Sequence, residues 1–437
     1  MKLTRFRALL ATLALLVSAC VSVEVVSPTP TQPVSTTAAV TGPSTTWTTA
    51  PQTTITSLPS FTLFGKVIDR AGSLVSGATV AVGPEAITTD SAGAFKIETS
   101  SPTSVLITKR GWTEVEVPWD AGSSFFIVTI EPMKVRGLRV GAGAAGDDAH
   151  FERLLQLAEE TAVNAFVFDT KQEGGTVVYD TRVDDAHHVG AVDVWYDPVV
   201  RLAQTHDQGL YAITRIVVFE DAFRAKAYPD EKLAGPWIDP RAESARSYNI
   251  DLATEACELG FDEIQFDYVR FPAGRTAQVS GQLDLTQAER VSAVEGFLAE
   301  ARKSLEPMGC AVSAAVFAIV VSVANDQGLG QKPEELSRQI EALSPMVYPS
   351  HYGEGWLGFT DPNDHPYAVT ANAIDDAIPR LDPGTLLRPW LQAFWWTNSQ
   401  IRESIQAAED RDVGWILWNV RSNFDREALP GPDEVSG

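Results

Sequence analysis

The residues with most chemistry to offer lie in one string, Phe261-Asp262-Glu263-Ile264-Gln265-Phe266-Asp267-Tyr268-Val269-Arg270-Phe271-Pro272. Successive side chains of a strand point to opposite faces, so Ile264 and Phe266 share one face while Gln265 and Asp267 share the other. Asp267 then falls at the strand's C-terminal edge, with Arg270 close by. A carboxylate beside a guanidinium stays ionised, as a nucleophile or a stabiliser of an oxocarbenium-like transition state requires. The competing reading is an Asp–Arg pair that only holds the loop. A second acid, Asp169, ends the second strand-like run in Phe168-Asp169-Thr170-Lys171 and is read as a general acid or a holder of a sugar hydroxyl. Its plainer reading is a salt bridge to Lys171 or Arg215. Glu173 is a weaker choice on the same loop. Asp239, in Trp237-Ile238-Asp239-Pro240, reads as the N-cap of the next helix, because Pro at the first helical position is the usual companion of such a cap.

Around these acids stand side chains suited to holding a sugar. Tyr348, His351, Tyr352 and Trp356 follow one strand-like run; Trp390, Gln392, Trp395 and Trp396 flank the next; Trp418 and Asn419 close the last. Aromatic faces offer flat apolar area to pyranose rings, and amides and imidazole add directional hydrogen bonds. Lys171, Arg215, Tyr268 and Arg270 complete the expected binding set. Any one of these aromatics is as well explained by a core position. His351 has no His or Cys partner at ligand spacing, so no metal is expected, and no cofactor is called for.

Residues so scattered need a scaffold that gathers strand ends. Strand-like runs recur at 137–140, 165–168, 211–218, 263–266, 312–316, 345–348, 387–391 and 415–418, with helical stretches between them. In 149–161, for example, Phe151, Leu154, Leu155 and Ala158 recur at helical spacing, and 241–259 is a second such stretch. Eight strand–helix units in about three hundred residues predict a (β/α)8 barrel of the α/β class, whose active groups gather at the strands' C-terminal ends. Gly141-Ala142-Gly143-Ala144-Ala145-Gly146 is literally a GxGxxG after a strand, with Asp169 downstream as a dinucleotide fold would have it. The barrel count favours a glycine-rich first loop instead.

The phrases FDEIQFDYVRFP, VFDTK, ITRIVVF, SPMVYPSHYGEG, LRPWLQAF and GWILWN, in order from about 135 to 419, resemble the putative glycoside hydrolase domain family. The resemblance implies a barrel distantly related to the α-amylase-type glycosidases, in which the acid ending strand four is the nucleophile. That role carries to Asp267. It also implies an acid in the fifth-strand phrase, where this chain has Ala315 in Val312-Ser313-Ala314-Ala315-Val316-Phe317. The departure leaves the acid/base partner open, and it favours the rival class of a non-catalytic carbohydrate-binding or envelope-assembly protein.

Upstream of the barrel, 61–133 alternates short β-type runs with turn signals, as a small all-β sandwich requires. GKVIDRAGSLVSGATVAVG and ITTDSAGAFKI resemble the carboxypeptidase regulatory-like domain, with no catalytic constellation in it. A spacer and an adhesion module are both open readings. The stretch 20–60 is dominated by Thr, Pro and Ser and is expected to be a disordered tether. Residues 1–19 carry Lys2, Arg5 and Arg7, an apolar run, and Val17-Ser18-Ala19 before Cys20, which resembles a bacterial lipoprotein signal with Cys20 as the lipidated residue. The barrel is then 134–437, and the expected location is outward-facing on a membrane, through a lipid anchor. The net charge of −23 leaves no basic stripe for nucleic acid and suits solubility. Cys257 and Cys310 read as buried, inert thiols.

Overall fold

The computed structural model describes residues 60–119 and 122–435. The signal, Cys20 and the tether up to residue 59 therefore lie outside the described residues. Phe61–Ile68 pairs antiparallel with Ala94–Thr99 and parallel with Phe125–Thr129 in one three-stranded sheet. Glu85–Thr88, Thr79–Val82, Val105–Thr108 and Val115–Val117 form the other, in that order. Alternation drives the two faces together: Leu63, Val67, Val80, Val82, Phe95, Ile97 and Ile107 are buried between them, while Phe64 and Lys96 face out. Gly93 makes its turn at φ 63°, where an added Cβ would meet the Val67 carbonyl oxygen at 2.6 Å.

From Arg136 the chain closes an eight-stranded parallel barrel. Its strands are Arg136–Val140, Ala165–Lys171, Tyr211–Val217, Glu263–Asp267, Ala311–Phe317, Ala342–Val347, an interrupted seventh strand (Leu386–Leu387 and Trp390–Gln392), and Trp415–Trp418. Each pairs with its neighbours in sequence, and the eighth pairs with the first, so no edge is left open. Closure excludes the open dinucleotide-binding sheet. Gly141 and its followers instead form the turn into a short helix, Ala142–Gly146, over the first strand's end.

Helices cover the outside because outward strand residues and helix faces are apolar together. Phe166 and Phe168 meet Phe151 of the helix Asp148–Glu159 at ring separations of 5.9 Å each. Fully burying one such ring is worth roughly 2–3 kcal/mol. The helix Gln287–Leu305 starts on a capping box made by Thr286 and Glu289. Glu243–Leu259 ends at Gly260, whose φ of 111° lets its N–H reach back to the last carbonyls. That helix starts two residues later than the sequence suggests, and Asp239 is not its cap. Asp239 accepts from the Arg241 N–H at 2.9 Å in the preceding turn, and Ala242 occupies the cap position.

Cys257 and Cys310 are joined in a disulfide, which corrects the reading of two inert thiols. They are 53 residues apart, yet Cys257 lies in the last turn of the helix leading into strand four and Cys310 directly precedes strand five. Those strands are neighbours, with Glu263 opposite Ala311, so the two sulfurs meet at the bottom of the barrel. The barrel interior is filled in layers, as the fold requires. At the bottom Glu263 pairs with Arg388. Above it Gln265 Nε2 donates to Ser313 and Ser344 at 3.2 Å each, and its Oε1 accepts from Trp390 Nε1 at 2.8 Å. Among the described residues no helix is long and apolar enough to cross a membrane.

Candidate active site

The top layer of the barrel interior is an ionic cluster built from the first four strands. Arg215 of strand three is 1% exposed and is the hub. Its Nε donates to Asp267 Oδ2 at 2.8 Å, its Nη1 to Asp169 Oδ1 at 3.1 Å and its Nη2 to Glu173 Oε1 at 2.6 Å. Arg139 of strand one pairs with the other oxygen of Asp169. Buried charges persist only when paired and hydrogen-bonded, and this cluster meets that requirement. The guanidiniums of Arg139 and Arg215 lie 4.3 and 4.7 Å from the Trp418 ring centroid, so the indole roofs them.

Above the cluster is a cavity of about 590 Å³. Glu173, Arg215, Asp267, Tyr268, Arg270 and Trp418 form its polar end. Phe317, Ile319, Met346, Tyr348, Tyr352 and Trp356 line the rest, with His351 at the rim. Asp267 reaches the cavity floor with both oxygens held: Oδ2 by Arg215, and Oδ1 by the Tyr268 N–H at 2.6 Å. The second bond depends on Tyr268 adopting φ 49°, a region few bulky residues enter, so backbone strain is held beside the acid.

The structure sorts the expected residues. Asp267, Arg215, Tyr268, Arg270, Tyr348, His351, Tyr352, Trp356 and Trp418 all line the cavity. Asp169 does not: it is 0% exposed beneath the floor, engaged by Arg139 and Arg215 and not by Lys171. Lys171 leaves the site altogether. A register shift between strands two and three turns Thr170 toward Thr214 on the outer side, and Lys171 pairs there with Asp221 at 2.8 Å. Simple alternation from Asp169 would have pointed it inward. Trp390 is a buried core residue, because the seventh strand breaks at Arg388-Pro389 and resumes inside the barrel. Gln392 is internally satisfied, accepting from the Ser350 hydroxyl at 2.9 Å and so steadying the turn that carries His351. Asn419 ties the last loop through its bond to the Ala393 carbonyl at 2.6 Å. Trp395 is 83% exposed and stands outside the cavity lining. Arg270, expected beside Asp267, makes no ion pair with it; Arg215 takes that place.

Three acids beyond the first pair of candidates, or undervalued there, now have places. Burial opposes the charge on Glu173, but the Arg215 guanidinium outweighs it and holds the carboxyl down at about 2. Glu220, just after strand three, accepts from the Gly174 N–H at 3.2 Å, and burial followed by the nearby Glu173 charge pushes its carboxyl up. Gly174 and Gly175 sit at φ 79° and 93°, which brings this loop against Glu220 and Asp221. Glu354, on the exposed turn between Tyr352 and Trp356, does not line the cavity. Arg139 could have been suspected as a charge flanked by Leu138 and Val140 in the first strand. Burial lowers His351, keeping its imidazole neutral near pH 7. Among the described residues no group of three or more His, Cys, Asp or Glu is arranged to hold a metal ion.

The family model described as "Putative glycosyl hydrolase domain" matches residues 137–424. The chain belongs to that family. No curated protein matches it. Among solved structures, the PgaB (BpsB) glycoside hydrolase domain from Bordetella bronchiseptica is 13% identical, with a TM-score of 0.51 over 70% of this chain and 99% of that one. It is similar in fold. A hypothetical protein from Ruminiclostridium thermocellum is 30% identical over 40% of this chain and 96% of its own, with a TM-score of 0.35. The glycoside hydrolase domain of PelA from Pseudomonas aeruginosa is 10% identical over 67% and 97%, with a TM-score of 0.41.

Proposed function

We infer that the barrel hydrolyses glycosidic bonds in a cell-surface or environmental polysaccharide. The observation that carries this is Asp267 on the floor of an aromatic-walled cavity, its charge oriented by Arg215 and the Tyr268 N–H. A carboxylate so held is pre-aimed at the positive charge that develops on a sugar ring in the transition state, at no cost of reorganisation. The second carboxylate must reach the sugar and be protonated near neutral pH; Asp169 lies beneath the floor, outside the cavity lining, and Glu173 is held ionised under Arg215. Glu220, whose carboxyl is raised by burial and which stands against the Gly174 N–H on the loop that carries Glu173, is the candidate proton donor, placed just outside the cavity lining.

An outward-facing location suits this reading. The disulfide belongs to an oxidising compartment, and the lipobox at Cys20 supplies an anchor. The PgaB (BpsB) domain, which is similar in fold, is a glycoside hydrolase domain, in keeping with this reading.

One observation favours a second reading, a barrel that binds glycan without cleaving it: Ala315 sits fully buried where the resemblance implies an acid. Release of reducing ends from a polysaccharide panel, by wild type and Asp267→Asn, separates the two. Hydrolysis predicts turnover that falls about a hundredfold or more in Asp267→Asn, with the melting temperature nearly kept. Turnover undiminished in Asp267→Asn makes Asp267 structural. Glycan binding by wild type without any turnover favours the second reading.

A further inference from the structure

Arg270 is a cavity-lining guanidinium that, among the described residues, has no carboxylate partner and leaves most of its hydrogen-bonding capacity unused. It is 5% exposed. A guanidinium has five N–H groups, yet among the described residues its one hydrogen bond runs from Nη1 to the Phe271 carbonyl at 3.0 Å, and Nε has no partner. Among the described residues it makes no ion pair, in contrast to Arg139 and Arg215 in the same mouth. Its plane is fixed instead by three rings, with its central carbon 4.6 Å from the Trp237 centroid, 5.0 Å from Tyr268 and 4.2 Å from Phe317. Rings on several sides hold the fork in one orientation without using its donors.

This arrangement is costly for a protein alone. A buried cation without an acceptor loses hydration that nothing replaces. Burial lowers Arg270 to about 10, with Asp267 and Glu220 working to keep it charged. It is therefore still cationic at neutral pH, and it lines the cavity. The group best matched to a fixed guanidinium fork is a carboxylate, which accepts two parallel N–H bonds. A sugar hydroxyl matches it less well, being neutral and unable to accept in that paired geometry.

Asp169, Glu173 and Asp267 share Arg139 and Arg215, so those two cations already have carboxylate partners. An acidic ligand would meet Arg270 rather than compete for those cations. Phe317, Ile319 and Met346 beside it offer apolar surface to the ring of the same sugar.

We propose that the cavity recognises a carboxylate-bearing sugar unit, of the uronic acid class, through the Arg270 guanidinium. The proposal rests on the cavity being a sugar site but not on the protein cleaving the sugar, so its test measures binding. Galacturonate tetramers and the same tetramers with their carboxyls reduced to alcohols are titrated into the full ectodomain, and affinity is followed by calorimetry or tryptophan fluorescence. The acidic tetramer should bind at least about tenfold more tightly, with an advantage that shrinks as salt rises. Arg270→Gln should abolish that advantage, so that the variant binds the acidic tetramer no more tightly than the neutral one. Arg270→Lys keeps the charge and stem but loses the fork, and should show a reduced advantage even if the glutamine variant folds poorly. Equal affinity of wild type for the two tetramers, no binding of the acidic one at millimolar concentration, or full discrimination in either variant overturns the proposal. Loss of turnover in Asp267→Asn with discrimination retained leaves the two readings separately judged.

Discussion

Removing the Cys257–Cys310 disulfide by a double Cys→Ala replacement should lower stability without changing the fold. The bond closes a loop of 53 residues that contains the whole of strand four and the helix Gln287–Leu305. The chain-entropy relation gives about 14 cal/mol/K for such a loop, or about 4 kcal/mol at 25 °C. Two features bear on that figure. Both strands next to the bridge are held by barrel pairing, so the native state is not expected to rearrange when the bond is gone. Cys310 Sγ also accepts a 3.4 Å hydrogen bond from Arg110 Nη1 of the sandwich, which alanine removes as well. Urea unfolding followed by tryptophan fluorescence measures the effect. With a slope of about 3 kcal/mol/M or more, the midpoint should fall by up to about 1.4 M. Dithiothreitol should shift the wild type in the same direction and leave the double variant unaffected. If alkylation of the denatured, unreduced protein labels Cys257 and Cys310, the bond is absent and the reasoning fails. An unchanged midpoint with the bond intact would show that the unfolded chain gains nothing from being cut loose.

Three further outcomes follow from the site and the N-terminus. If Glu220 donates the proton, kcat should fall as pH rises through its elevated folded pKa, and Glu220→Gln should abolish that limb while sparing substrates with good leaving groups; an unaltered profile removes Glu220 from the mechanism. Glu173 is held at about 2 in the fold against an ordinary value of 4.5, so its stabilisation is present above pH 4.5 and lost as pH falls toward 2; Glu173→Gln should flatten acid unfolding in that window, and an identical acid transition contradicts the ion pair with Arg215. Cys20→Ala should abolish lipid labelling and release the protein from the detergent phase, and unchanged partitioning counts against the anchor.

Much of the architecture could be read from local patterns. Strand and helix periods are properties of consecutive residues, so eight strand–helix units predicted a barrel, and alternation in 263–267 put Gln265 and Asp267 on one face, which the fold turns inward. The turn glycines and alternating runs of 61–129 likewise pointed to the sandwich. Other features depended on which distant residues become neighbours. No spacing rule brings Cys257 to Cys310, because their meeting follows from strand four lying beside strand five. One extra residue in the second strand turned Lys171 to the outside, and a break before Trp390 carried an expected sugar platform into the core. The partner of Asp267 was settled in the same way. Arg270 is near it in sequence, but Arg215 reaches it from the neighbouring strand, leaving Arg270 stacked among aromatic rings. Periodicity is imposed by each segment's own backbone geometry, whereas ion pairs, disulfides and cavity walls are set by register and closure between segments, which a linear sequence carries only through the whole fold.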